Sequence, residues 1–309
     1  MLAIFLKTLP FFALIGLGWG AGRLRAFPEV ATEWLTRFVF YFALSAMLFR
    51  FAANLSVAEI FDPAFALAYL SASAAVYALA FAVALARRVS IPEASVEAQC
   101  AVIGNTGFLG VPMLTMLLGP AAAGPVLMVL SIDLIVFSSL ITLVITAARE
   151  GQLSPRIVRV LAVGLLKNPM IVAMVAGLCW SALRLPLPGP AEEFLMLLGA
   201  AATPGALFAI GASLASKSAE RLPVALWLGF AKLVLHPAAV AFAAFYLFAV
   251  DRFAAGVMVA AAALPVAGNV YILARHYGVA PQRVSASILI STATSILTIP
   301  AVIAWIGGA

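Results

Sequence analysis

The sequence predicts an all-α polytopic membrane protein, with ten transmembrane helices arranged as two inverted five-helix repeats. Three observations support this fold class. Hydrophobic residues make up 65% of the 309 and charged residues only 10%, whereas a soluble domain carries roughly 25% charged residues. The chain also contains a series of long apolar stretches, and its basic residues fall mainly in alternate connections between them. A soluble globular domain is therefore excluded, because a chain this apolar must be covered by lipid.

Each apolar stretch is long enough to cross a bilayer, which takes about 20 mostly apolar residues. The predicted spans are 3–22, 32–53, 60–86, 94–118, 122–148, 160–183, 191–216, 223–250, 253–275 and 281–307. The first is expected to be a retained helix and not a signal peptide, because it lacks a small-residue cleavage site and the second span follows closely. Cys100 and Cys179 lie inside predicted spans and are expected to be free thiols.

The basic residues predict the orientation of these spans. With ten spans, one side of the membrane collects Arg23, Arg25, Arg87, Arg88, Arg149, Arg156, Arg159, Lys217, Arg221, Arg275 and Arg283. The other side has only Arg50, Arg184 and Arg252. Since Lys and Arg are enriched in cytoplasmic loops, both termini of this inner- or plasma-membrane protein are predicted to be non-cytoplasmic. The net charge of +6 is thus a topology signal, and a nucleic-acid partner is not expected because no basic groove with interleaved aromatic residues is present.

A basic connection at 149–159 divides the spans into two groups of five, at 1–148 and 160–309. Because five is odd, the second half enters the membrane in the opposite sense, so any repeat is inverted. The fourth span of each half contains a Gly-Asn pair, at 104–105 and 268–269. The same two segments are rich in Gly and Pro, which favour a break in a helix.

Broken helices at equivalent places in two inverted halves predict a substrate site within the membrane. Backbone groups freed at that depth must be buried in protein or line a wet cavity. The structural alternative is that Gly and Pro only permit kinks and close helix packing, but the paired asparagines favour binding. The candidate substrate-binding residues are Asn105, Thr106, Gly107, Pro112, Pro265, Gly268, Asn269 and Tyr271. Helix N-termini and amides suit a carboxylate, and the sequence has no acidic cluster for a cation.

At these residues the sequence resembles the auxin efflux carrier family of bacterial and plant transporters, including its malate- and malonate-permease-like members. The matching pieces are 105–112, 264–269, Lys167-Asn168-Pro169 and 232–237, within a likeness that extends over essentially the whole chain. The resemblance implies ten helices in two inverted repeats, similar to sodium/proton antiporters and bile-acid symporters, with the fourth and ninth helices broken and crossing beside the substrate. It also implies secondary active transport of a small organic anion such as auxin, malate or malonate, with Asn105 and Asn269 near the carboxylate.

Three ionisable residues inside predicted spans are candidates for coupling transport to a proton or a sodium ion, because charged groups in a membrane are costly and usually functional. Asp133 is either a proton carrier or a structural hydrogen-bonding group. Lys232 and His236 lie four residues apart on one helix face. Lys232 is expected either to pair with Asp133 or to attract an anion, and structural pairing is favoured over substrate contact for both Lys232 and His236.

Other classes of function lack the residues that they need. The sequence has no HExxH motif and no P-loop, and two histidines alone cannot form a metal cluster. No catalytic residue, metal or cofactor is therefore predicted, and an intramembrane enzyme is disfavoured because Asp133 has no second acid beside it. The alternatives left open are a passive anion channel and a membrane sensor whose output domain a partner supplies. The lipid-facing surface also allows a homodimer.

Overall fold

A computed structural model describes residues 2–55, 62–150, 156–215 and 222–308. Within these ranges the regular structure is helical apart from one β-bridge. The helices are α1 Leu2–Arg23, α2 Glu29–Ala53, α3 Pro63–Ala86, α4 Ile91–Val102, α5 Thr106–Leu118, α6 Pro120–Arg149, α7 Arg156–Lys167, α8 Pro169–Ala182, α9 Gly189–Ala215, α10 Leu222–Leu247, α11 Arg252–Ala262, α12 Gly268–Tyr277 and α13 Pro281–Gly308. Residues 151–155 of the predicted connection 149–159, together with Lys217 and Arg221, lie outside the described residues.

Seven of the described helices are long and apolar enough to cross a membrane, namely α1, α2, α3, α6, α9, α10 and α13. Helices α7 and α8 pass the same test together and are bent by 76° at their junction. The prediction of a multi-pass helical membrane protein is therefore confirmed. The predicted spans 94–118 and 253–275 are both interrupted: the first is divided into α4 and α5, and the second into α11 and α12.

Local sequence signals explain where several helices begin. The Asp62 carboxylate accepts two backbone N–H groups from the first turn of α3. Helix α4 starts with a capping box, in which Ser90 and Glu93 each satisfy a backbone N–H of the other. Asp251 accepts a backbone N–H at the start of α11. These side chains replace the hydrogen bonds that the first turn of a helix cannot make within itself.

The helices pack in two groups with a cavity between them. The first group contains α1, α2, α8 and α9, and the second contains α3, α4, α6, α10, α11 and α13. Glycines bring the helices of the first group close together: a Cβ atom added to Gly211 of α9 would collide with the Ile15 carbonyl of α1, and one added to Gly18 would collide with the Phe208 carbonyl. Such backbone contact through small residues is a common way to hold membrane helices together.

Ion pairs at one end of the second group connect three of its helices. Arg283 of α13 donates to Glu97 at 2.9 Å and to Glu93 at 2.8 Å, both on α4. Arg87, directly after α3, also pairs with Glu97. Glu97 is 1% exposed, so its charge depends on these two arginines, since a buried charge left unpaired is strongly destabilising. The cluster fixes α4, and with it the first break, against α3 and α13.

Candidate functional site

The two interrupted segments meet and form a short antiparallel bridge, centred on Gly104 and Val266. The Asn105 N–H donates to the Pro265 carbonyl at 2.8 Å, and the Ala267 N–H donates to the Ile103 carbonyl at 3.1 Å. Extended backbone within a membrane has no water to bond with, and here each segment satisfies the groups of the other. The two breaks therefore support one another in a single element, called the crossing below (Ile103–Asn105 with Pro265–Ala267).

Two helices begin at the crossing. Helix α5 starts at Thr106, directly after Asn105, and α12 starts at Gly268, directly after Ala267. The first N–H groups of a helix have no partners within the helix and carry a partial positive charge. Both helix N-termini therefore lie at the same point in the interior, where they favour a negatively charged group.

A cavity of about 1930 Å³ lies between the two helix groups and reaches the crossing. Gly104, Asn105, Gly268 and Asn269 line its inner end. Its outer end is lined by exposed arginines, Arg23, Arg25, Arg37 and Arg275. The cavity thus opens at the end of the molecule that carries arginines predicted to be cytoplasmic.

Asn105 and Asn269 end in side-chain oxygens that are buried and have no hydrogen-bond partner in the part of the chain that the structure describes. Asn105 is only 5% exposed, and buried polar groups in proteins are nearly always hydrogen-bonded. A half-turn of the terminal amide exchanges its oxygen for an NH₂ group, so each side chain can offer two donors without changing its position. The two amides are therefore suited to a ligand with acceptor oxygens.

The structure brings together five of the eight predicted substrate-binding residues on the cavity wall, namely Asn105, Gly107, Gly268, Asn269 and Tyr271. The other three do not line the cavity. The Pro265 carbonyl accepts the bridging hydrogen bond, the Thr106 hydroxyl turns toward Asp133, and Pro112 lies in the body of α5. These three residues shape the break and do not face the space that a substrate would occupy.

Asp133 lies on the cavity wall beside the first break. It begins a π-helical turn of α6, a local widening that is often found at functional sites. The Tyr69 hydroxyl donates to its carboxylate at 2.8 Å, and the Thr106 hydroxyl donates at 3.4 Å. Sequence reasoning missed Tyr69, because nothing in an apolar span indicates which hydroxyl faces inward.

Lys232 and His236 are fully buried on one face of α10, as predicted. The Lys232 ammonium donates to the carbonyl of Ala262, the last residue of α11, and to His236 Nδ1 at 3.2 Å. Since an ammonium has only donors, Nδ1 accepts, and Nε2 carries the hydrogen that it donates to Ser73 at 2.9 Å. A positive charge at the C-terminal end of a helix is stabilising.

The Lys232 ammonium lies beneath both breaks. Besides its bond at the end of α11, it would be 3.3 Å from a Cβ atom added to Gly104. The ammonium makes no direct salt bridge with Asp133, but the two groups interact electrostatically over a longer distance. The direct contacts of the lysine are with Ala262 and His236. Neither Lys232 nor His236 lines the cavity, and of the three predicted coupling residues only Asp133 does.

Comparison with known proteins identifies the family. A family model described as a membrane transport protein matches residues 3–303, which is nearly the whole chain. The chain belongs to this family. The predicted resemblance to the auxin efflux carriers is thereby confirmed.

Among individual proteins, one of Rhizobium meliloti (strain 1021) named "Putative malonate transporter" is 33% identical to this chain over 298 residues. The match covers 94% of this chain and 92% of that protein. Family membership fits the geometry, because a wide cavity that ends in the interior of the helical protein at two amides with unpaired oxygens is suited to holding a solute.

Proposed function

We propose that this chain is a secondary transporter of small carboxylates, with malonate as the leading substrate. The observation that carries the proposal is the pair of unpartnered amides, Asn105 and Asn269, each beside the N-terminus of a helix at the inner end of the cavity. Amide and backbone donors attract a carboxylate without a fixed full charge, so the anion can also leave. The name of the R. meliloti relative supports malonate within this class.

The proposed architecture has ten spans. In it α4 with α5 and α11 with α12 are each one span broken at the crossing, and α7 with α8 is one bent span. The halves 1–148 and 160–309 then form inverted repeats joined by a cytoplasmic connection at 149–159, with both termini outside the cytoplasm. The support is that the break falls in the fourth span of each half, the arrangement in which discontinuous helices build a midplane site. A homodimer through the lipid-facing surface stays a prediction.

Transport is proposed to proceed by alternating access between the two helix groups. The crossing belongs to the second group, and the cavity separates it from the first on the side of the basic residues. Movement of the second group relative to the first would close this side and open the other around the same site. The glycine contacts between α1 and α9 favour the first group as the fixed frame.

Coupling is proposed to use a proton carried by Asp133. Its carboxylate lines the cavity, where a proton can enter and leave, and it accepts the hydroxyl of Thr106, the residue next to Asn105. Lys232 and His236 are assigned a fixed role, because both are enclosed and their hydrogen bonds hold the end of α11 and α3. Because Asp133 accepts the hydroxyl of Thr106 at the first break, binding or release of a proton by Asp133 is proposed to change the geometry of that break.

The test is uptake of labelled malonate, malate, indole acetate and acetate into proteoliposomes, with and without an imposed pH gradient. Saturable malonate uptake that the gradient accelerates is the expected result, with protein-free liposomes as the control. A flux that rises linearly with concentration would indicate a passive anion channel. Absence of uptake of every acid by folded protein would contradict the proposal.

A further inference from the structure

We propose that Arg275 is a specificity-determining residue, which binds the second carboxylate of a dicarboxylate whose first carboxylate occupies the crossing. This inference rests on the proposed function, since it assumes that the crossing holds a carboxylate. It adds the prediction that one arginine distinguishes diacids from monoacids.

The position of Arg275 on α12 places it within reach of the crossing. It follows Asn269 by six residues (269 to 275), which is about 9 Å along the helix axis at ~1.5 Å per residue. It follows Gly268 by seven residues, or two turns, so the two project from nearly the same face of α12, and both line the cavity. Side chains of a helix lean toward its N-terminus. A long arginine chain at this position can therefore extend back toward the crossing, and a short diacid can bridge the distance that is left.

Two of the other arginines that line the cavity are engaged elsewhere. Arg37 pairs with Glu33 at 2.9 Å. The Arg23 guanidinium lies over the Trp19 ring, 5.8 Å from its centre. Both residues belong to the first helix group, on the wall opposite the crossing.

Arg25 also lines the cavity, but it lies in the connection between α1 and α2. Arg275 and Asn269 are on the same helix, so the distance between them is kept when the helix groups move. The neighbouring His276 faces the cavity too, and its ring packs edge-to-face on Tyr277 at 4.9 Å. Arg275 is therefore the cation that stays with the site through the transport cycle.

The wall between the crossing and Arg275 is suited to the middle of a short diacid. Ile272 of α12 lies between them, and Leu134, Met170 and Ile171 are also on the cavity wall. A guanidinium can hold a carboxylate with two parallel hydrogen bonds. Binding of a monoacid does not depend on Arg275, because this exposed arginine stays hydrated when no second carboxylate is present.

The test compares malonate with propionate, its three-carbon monoacid counterpart, by equilibrium binding to the purified protein. Arg275→Gln is expected to weaken malonate binding about ten- to hundredfold, the usual effect of losing hydrogen bonds to a charged group. Propionate binding is expected to change by less than about threefold. Arg275→Lys keeps the charge without the two-pronged geometry and should recover part of the malonate affinity.

The matched control is Arg88→Gln, which removes the same charge from the same predicted side of the membrane at an exposed residue away from the cavity. It should leave both affinities unchanged, and melting temperatures should show that every variant is folded. Unchanged malonate binding in Arg275→Gln, or equal losses for both acids, would overturn the assignment of Arg275. Wild-type protein that binds neither acid would instead refute the proposed function itself.

Discussion

Replacing Asn105 or Asn269 with alanine is expected to remove most malonate transport while leaving the protein folded. Each amide is proposed to donate to the bound carboxylate, and a hydrogen bond to a charged group contributes about 1.5–3 kcal/mol. Each single variant should therefore lose about ten- to hundredfold in malonate affinity, and the double variant should lose more. Folding should be little affected, because the side-chain oxygens of both residues have no partner to lose.

Uptake into proteoliposomes, normalised to the amount of folded protein, measures this effect. Asn54→Ala is the matched control, since Asn54 is an exposed asparagine that does not line the cavity. It is expected to transport at the wild-type rate. Wild-type transport in both Asn105→Ala and Asn269→Ala would show that the substrate does not bind at the crossing.

Replacing Asp133 with asparagine is expected to abolish the acceleration of transport by a pH gradient. Asparagine has nearly the same size and keeps one oxygen for the Tyr69 hydroxyl, which donates to Asp133 in the native protein. Its NH₂ group replaces the oxygen that accepts from Thr106, and it can donate to that hydroxyl while the hydroxyl donates to the Gly104 carbonyl. Unlike a carboxylate, the asparagine amide cannot bind and release a proton during the transport cycle. The ratio of uptake with the gradient to uptake without it should therefore fall to about one, while malonate still binds.

Asp251→Asn is the control for this experiment. Asp251 caps α11 at its exposed start, and asparagine caps a helix about as well as aspartate does, so both the fold and the response to the gradient should be kept. An undiminished response in Asp133→Asn would show that another group carries the proton. The enclosed pair Lys232 and His236 would then be the next candidates.

The residues of the two breaks could be predicted because each carries a local signal. A Gly-Asn pair with a nearby proline marks both segments, at 103–112 and 263–271. Their pairing could not be predicted in the same way, because the hydrogen bond from Asn105 to Pro265 joins residues far apart in the chain. For the same reason the sequence predicts that Pro265 and Thr106 face the substrate. In the structure Pro265 bonds to the other half of the crossing, and Thr106 bonds to Asp133.

The helix boundaries were less predictable where helices are surrounded by protein. Helix α4 carries Glu93, Glu97 and Gln99, which a lipid-facing helix would not tolerate. Arg283 of α13 and Arg87, directly after α3, pair with Glu97 and stabilise its buried charge. Hydropathy alone cannot foresee this compensation, because the partners come from distant parts of the sequence. The π-helical turns that contain Asp133 and Lys232 are equally invisible in the sequence.

The most direct test of the central claim is a cryo-electron microscopy structure of the purified protein with saturating malonate, compared with a matched map without it. The claim is that the anion binds where the two broken helices cross. Density for malonate with one carboxylate within hydrogen-bond distance of the Asn105 and Asn269 amides is the predicted result. Malonate density elsewhere in the protein, with both amides free of ligand, would contradict it.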